Sequence, residues 1–304
     1  MAATGLHISI SAEPVFNLGG LTITNSILTS LIVSALLITF ALITHSKLKQ
    51  TNRPSGIQNF AEWVVESLLG LAHSVTDSHE KSGRFLPWIG TFFLFILLNN
   101  WLGLFPGVGT IGVTHEVKPT EIHAEAVPEV HAQETAVPEQ DQIIIDEEGA
   151  AVEDTLLEAQ GDATHEVEEP HTTFVPILRP GTADLNTTLA LAIISVIVTQ
   201  FMGIKYGGLG YFGKFINFSS PIMFFVGILE LVSELGKIIS FAFRLFGNIF
   251  AGEVLLVVIS FLIPLVVPLP FYGLEVFVGF IQALVFAMLS LVFFNMATQS
   301  HEAH

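Results

Sequence analysis

The sequence predicts an all-α integral membrane protein with about five membrane helices. Three observations carry that prediction. Apolar residues make up 51% of the chain and charged ones 13%. Phe outnumbers Tyr and Trp, with 26 Phe against 3 of each, a balance too apolar for a water-soluble domain of this length. Five apolar stretches approach or exceed the roughly 20 residues a spanning helix needs.

The stretches run Leu21–Ile43, Phe85–Phe105, Leu185–Ile204, Pro221–Leu262 and Phe271–Ala297. No Lys or Arg precedes Lys47, and a secretory signal needs a basic leading region, so the first is expected to be a retained helix. Between the first two, Ile57–Val75 sets Phe60, Val64, Leu68 and Leu71 against Glu62, Glu66 and His73 at helical spacing. Two readings stay open: an amphipathic helix in the cytoplasmic interface, or a short helix packed on its own neighbours. Pro264, Pro268 and Pro270 mark a turn before the fifth stretch, so the last two helices are expected to form a long antiparallel hairpin.

Basic residues give the topology. Lys47, Lys49 and Arg53 follow the first helix, Lys81 and Arg84 precede the second, and Lys205 and Lys214 follow the third. These seven fall on one face if the chain starts outside. The N-terminus and the loop between the second and third helices are then external, and the C-terminus is cytoplasmic.

That loop carries the net charge. Residues 114–172 hold 17 acids and one base, Lys118, a formal −16 out of −17 for the whole chain. The sequence therefore divides into residues 1–113 (two membrane helices and the interfacial helix), an acidic insert over 114–172, and a C-terminal membrane region over 173–304 with the ion-path hairpin. The insert repeats short units of Glu, Ala, Val, Pro and His, a composition that cannot bury a core, and is expected to be disordered. Its His115, His123, His131, His165 and His171 have no spacing that fixes a metal geometry, so a solvated linker is the preferred reading. The chain has no Cys, which excludes thiol chemistry and thiolate metal sites.

Ionisable groups inside a spanning helix cost about 2.5–3.5 kcal/mol each, which makes each a functional candidate. The fourth stretch contains Glu230, Glu234, Lys237, Arg244, Asn248 and Glu253. At about 100° per residue from Glu230, the angles are near 40° for Glu234, 340° for Lys237, 280° for Ser240, 320° for Arg244, 0° for Asn248 and 140° for Glu253. A polar stripe thus runs through Arg244 while Glu253 faces elsewhere, separated from that permanent charge. Glu275 and Gln282, seven residues apart, share a face of the fifth stretch. A continuous fourth helix would be about 63 Å long, twice the hydrocarbon thickness, so it is either strongly tilted or broken. Arg244 stays charged at physiological pH and can act as a fixed charge but not as a proton carrier. Lys237 competes for the nearest acids, Glu230 and Glu234.

The segment Ser240-Phe-Ala-Phe-Arg-Leu-Phe-Gly-Asn-Ile-Phe-Ala-Gly-Glu253 resembles the signature helix of ATP synthase subunit a of the F type. Asn100-Trp-Leu-Gly-Leu-Phe-Pro106, Thr182-Ala-Asp-Leu-Asn-Thr-Thr188 and Phe280-Ile-Gln-Ala-Leu284 are similar to the ends of that family's second and third spans and to its last helix. Only the acidic insert departs from the pattern, being much longer than the loop expected there. The resemblance implies a stator beside a rotating ring of c subunits in a bacterial inner membrane, with b-type peripheral stalk subunits and the lipid bilayer as further partners. It implies that Arg244 is the essential arginine separating two half-channels, with Asn248 and Gln282 as its polar neighbours. By the same resemblance Glu253 and Glu275 are the ionisable pair of the external half-channel. Asp184, Asn186 and Asn100 match its outer mouth, and Glu230, Lys237 and Ser240 the cytoplasmic exit. The translocated ion is expected to be the proton ahead of sodium, with no cofactor, no metal and no nucleic acid. A nucleotide enzyme is disfavoured because no Gly-x-x-x-x-Gly-Lys-Ser/Thr loop occurs. The rival reading is an ion-coupled secondary transporter, which also places charges in broken helices but usually shows internal repeats, of which the sequence has none.

Overall fold

The structure is a computed structural model describing residues 12–18, 21–48, 56–105, 108, 111–116, 172–215, 220–263 and 266–299. It divides into two compact units, Met1–Val113 with Phe174–His304, and Thr114–Thr173. Most of the second unit, including the expected disorder of the insert and four of its five histidines, lies outside the described residues.

Helices dominate the first unit: α1 (Asn25–Lys47), α2 (Gly56–Thr76), α3 (His79–Gly103), α4 (Leu185–Gly207), α5 (Pro221–Leu262) and α6 (Pro268–Ala297). All but α2 are long and apolar enough to cross a membrane. Four short strands accompany them: β1 (Pro14–Leu18) pairs antiparallel with β2 (Leu21–Thr24), and β3 (Gly112–Glu116) pairs with β4 (Thr172–Pro176).

The first helix starts four residues later than the hydropathy suggests. Leu21–Thr24 alternates apolar and polar residues and ends in three β-branched ones, which favour a pleated strand, and the Thr24 hydroxyl then accepts from the Ile27 N–H (3.4 Å) as the N-cap of α1. Helix α3 instead begins at His79, before the apolar run. A polar first turn is helical without being apolar, so hydropathy alone missed it.

The core lies where α3, α4, α5 and α6 meet. Phe85, Ile89, Phe92 and Ile96 of α3 pack with Phe241, Ala242 and Leu245 of α5 and with Ala283, Phe286, Ala287, Leu291 and Phe294 of α6. Phe92 meets Phe286 edge-on at 5.5 Å, and Phe85 meets Phe294 at 5.7 Å, pairs worth about 0.5–1.5 kcal/mol beyond the area they bury. In lipid, helices associate through packing and interhelical hydrogen bonds rather than by exclusion of water. The alanines let backbones approach, and the buried Ser195 and Ser290 hydroxyls bond across α4 and α6 at 2.8 Å.

Helix α2 buries Leu68 and Ala72 in this core and leaves Phe60 and Trp63 exposed. Asn295 of α6 donates to the Val75 carbonyl at 3.0 Å. The helix does pack on its neighbours, so that reading describes one of its faces.

Helix α5 is continuous over 42 residues, about 63 Å at 1.5 Å per residue. The Ser220 hydroxyl caps the Met223 N–H at 3.2 Å, and Pro221 occupies the first turn, where a missing N–H costs nothing. Of the two sequence alternatives for this stretch, the break does not occur.

Candidate functional site

Arg244 sits on an exposed face of α5. Among the described residues its Nη2 donates to Ser240 Oγ, one turn back, at 3.5 Å. Among the described residues no carboxylate pairs with it. A neutralised structural arginine is therefore not what the helix presents. Asn248, one turn on, donates from Nδ2 to Gln282 Oε1 of α6 at 3.3 Å. Gln282 is buried, and its Nε2 has no partner among the described residues.

A second cluster gathers near the start of α5. Lys237 Nζ reaches Glu234 Oε1 at 2.8 Å, the competition expected from their spacing. Lys214, from the 3-10 segment Gly208–Lys214, bridges Glu230 at 2.6 Å and Glu234 at 3.4 Å. Sequence reasoning had counted Lys214 only as a topology marker. Burial alone would push its ammonium down, but the hydrogen bond and charge of Glu230, with Tyr211 and Glu234, carry its pKa above the ordinary 10.5. Tyr211 beside it is raised above 10.0 by burial, against the opposing pull of Lys214. It donates to Gln200 Oε1 at 2.8 Å.

The third cluster surrounds a cavity of about 360 Å³ lined by Asn100, Arg179, Glu253, Ser260, Tyr272 and Glu275, among others. Glu253 and Glu275 arrive from different helices, α5 and α6. Gly252 makes room for the second of them, since a Cβ there would collide with the Glu275 carboxylate. Asn100, buried at the end of α3, donates to the Gly279 carbonyl at 3.1 Å and accepts from the Thr182 hydroxyl.

Glu253 is not a free carboxylate. It is separated from Arg244, as its helix angle leads one to expect, and pairs with a different arginine. Arg179 Nε donates to both Glu253 oxygens, at 3.0 and 3.1 Å, and Nη2 to Oε2 at 3.0 Å. Arg179 precedes α4 in sequence, is 5% exposed, and lies 6.0 Å from the Phe250 ring centroid. The sequence offered one signal for it. Arg179 is the lone base between Lys118 and Lys205, on the side the topology assigns to the exterior, where the positive-inside pattern leads one to look for none.

The outer-mouth residues separate. Asn100 lines the cavity with Glu253 and Glu275, whereas Asp184 and Asn186 line another, of about 430 Å³, with Ser30, Ser34 and Thr187. Asp184 caps α4, accepting from the Asn186 N–H at 3.2 Å and the Thr187 hydroxyl at 3.3 Å.

Among the described residues an apolar helix bundle carries the unpaired guanidinium of Arg244 and two separate ionisable clusters, and a family model described as ATP synthase A chain matches residues 27–295. That range takes in every one of these groups and most of the chain: the protein belongs to that family, subunit a of the F-type ATP synthase.

Proposed function

We propose that the chain is the stator against which a ring of c subunits turns, and that it forms two offset proton half-channels separated by Arg244. The observation that carries this reading is Arg244 itself, an exposed guanidinium on an apolar helix with no carboxylate among the described residues to neutralise it. Such a charge is costly in lipid unless something outside the chain compensates it. A membrane-embedded carboxylate presented by each passing ring subunit does so. Facing Arg244, that carboxylate is held ionised and gives up its proton; moving on into lipid, it must take one up.

The external half-channel is the cavity of Asn100, Glu253 and Glu275, whose carboxylates can bind and release protons. The second cavity, with Asp184 and Asn186, lies towards its outer mouth. The cytoplasmic half-channel passes Glu230, Lys237 and Ser240. The N-terminus and the acidic insert are external, the C-terminus is cytoplasmic, and the membrane is a bacterial inner membrane. Helix α2 lies in the cytoplasmic interface with Phe60 and Trp63 towards lipid. The inclined pair α5 and α6 lies beside the ring, with b-type stalk subunits holding the stator. Nucleotide chemistry takes place elsewhere in the complex. The ion is the proton, which the carboxylates of the external cluster can bind and release.

Cross-linking tests the placement directly, since the absence of cysteine gives a clean background. Asn248→Cys on the exposed face of α5 should form a disulfide with a cysteine placed beside the ring carboxylate. Leu245→Cys, buried in the core, should not. Equal cross-linking at both positions, or at neither, contradicts the arrangement.

A further inference from the structure

Arg179 is a buried, multiply bonded charge that the proposed path leaves without a role. Three N···O contacts of 3.0–3.1 Å fix its fork on Glu253. Its backbone N–H is also held, donating to Thr29 Oγ of α1 at 3.3 Å, and the adjoining Pro180, Gly181 and Thr182 are buried. A Cβ on Gly181 would strike Ser30 and Asn99, and one on Gly103 would strike the Pro180 ring. The segment carrying the guanidinium is thus wedged between α1 and α3, and the fork is aimed rather than floating. A bidentate guanidinium–carboxylate pair is directional and among the stronger charge-assisted interactions.

Resting on the stator reading above, we propose that Arg179 is a positioning residue of the external half-channel. It holds Glu253 as an anchored carboxylate and so sets the external pH range over which that group takes up protons. In the closed state both Glu253 oxygens accept from the fork. A proton arriving through the cavity binds one oxygen and breaks its bond to the guanidinium; when it passes on towards the ring, the carboxylate is ionised again and the pair re-forms. Arg179 never titrates. Its charge makes proton binding at Glu253 compete with an ion pair. Glu275, which faces the same cavity with no arginine on it among the described contacts, does not face that competition. The other ionisable groups around Glu253 are Glu275 and Tyr272 of the cavity wall and Glu13, near enough for its charge to act on Glu253.

The test uses the whole ATP synthase complex in liposomes, with proton flux driven by an imposed potential and the pH of the external face varied. With Arg179→Gln, proton uptake no longer competes with an ion pair, so half-maximal flux should move to higher external pH by one unit or more. Arg179→Lys, which keeps the charge but loses the fork, should fall between that variant and the unaltered protein. In a Glu253→Gln background, Arg179→Gln should add no further shift. Superimposable pH profiles for the Arg179 variants, at equal amounts of assembled complex, would overturn the inference. So would loss of assembly in both, since that identifies a scaffold role only. An Arg244→Ala complex run alongside separates the two claims. If it still synthesises ATP from the imposed potential, the stator reading has failed; if it makes none while the Arg179 variants match the unaltered flux profile, only the present inference has.

Discussion

Arg244, Glu253 and Glu275 differ in what holds them, and the differences give each its own expected phenotype. Replacing Glu253 or Glu275 with Gln keeps size and hydrogen bonding but removes titration, so proton flux should fall at least tenfold in the double variant, with complex yield unchanged on a native gel. Unchanged flux in the double variant would make both carboxylates structural. Gly252→Ala probes the same place from the backbone. The added Cβ must push the Glu275 carboxylate aside, and because that carboxylate ends a flexible side chain the fold should survive. Reduced flux with unaltered thermal stability is the expected result. Arg244, Glu253, Glu275 and the Lys237–Glu234 competition stand out in the sequence because charges are conspicuous in apolar helices, whereas the pairing of Glu253 with Glu275 comes from the family resemblance. Arg179 stands out only as a base on the expected external side; its partner does not, because that depends on a contact across 74 positions, which no local pattern contains.

At the scale of elements, hydropathy located all five long helices but misplaced three N-termini, among them that of α6, which opens at Pro268 so that Pro268 and Pro270 lie in its first turn rather than in the expected turn before it. Strand β2 replaced the start of α1, and the polar first turn of α3 extended it to His79. Helix ends are decided by caps and turn chemistry rather than by apolarity. The continuity of α5 could not be read from length, since tilting and breaking satisfy the same thickness constraint. Its unbroken course over 42 residues exceeds a hydrocarbon layer about 30 Å thick, and the proposed arrangement takes up the excess by tilting. The ion pairs of Lys214 tie the segment after α4 to the start of α5. Lys214→Ala should speed amide exchange over residues 208–215 and cost roughly 1 kcal/mol, the upper end for a partly exposed pair. Because the folded state raises the Lys214 pKa above 10.5, this contribution is complete at neutral pH. It should disappear only as the pH climbs through the raised value, which a stability titration of the unaltered protein against Lys214→Ala would show as two curves converging in strong alkali.

The whole molecule combines a nearly neutral membrane body with an insert of formal charge −16. On the proposed topology that charge stands outside, on the side of the proton entrance, where it raises the local cation concentration within about a Debye length, roughly 8 Å at 0.15 M salt. Deleting residues 117–171 should leave the complex assembled and lower flux modestly at low ionic strength, with no difference at high salt; a loss that salt does not change would rule out the electrostatic role. The insert's length falls outside the pattern that made the rest of the chain recognisable, and composition alone says how it is charged without saying what it touches. The account as a whole depends on one unpaired guanidinium. Its most direct test is ATP-driven proton pumping by the complex carrying Arg244→Ala or Arg244→Lys, in membranes containing normal amounts of assembled enzyme. The account predicts no pumping by either variant, because alanine removes the fixed charge and lysine lacks the planar fork, and normal pumping by either would contradict it.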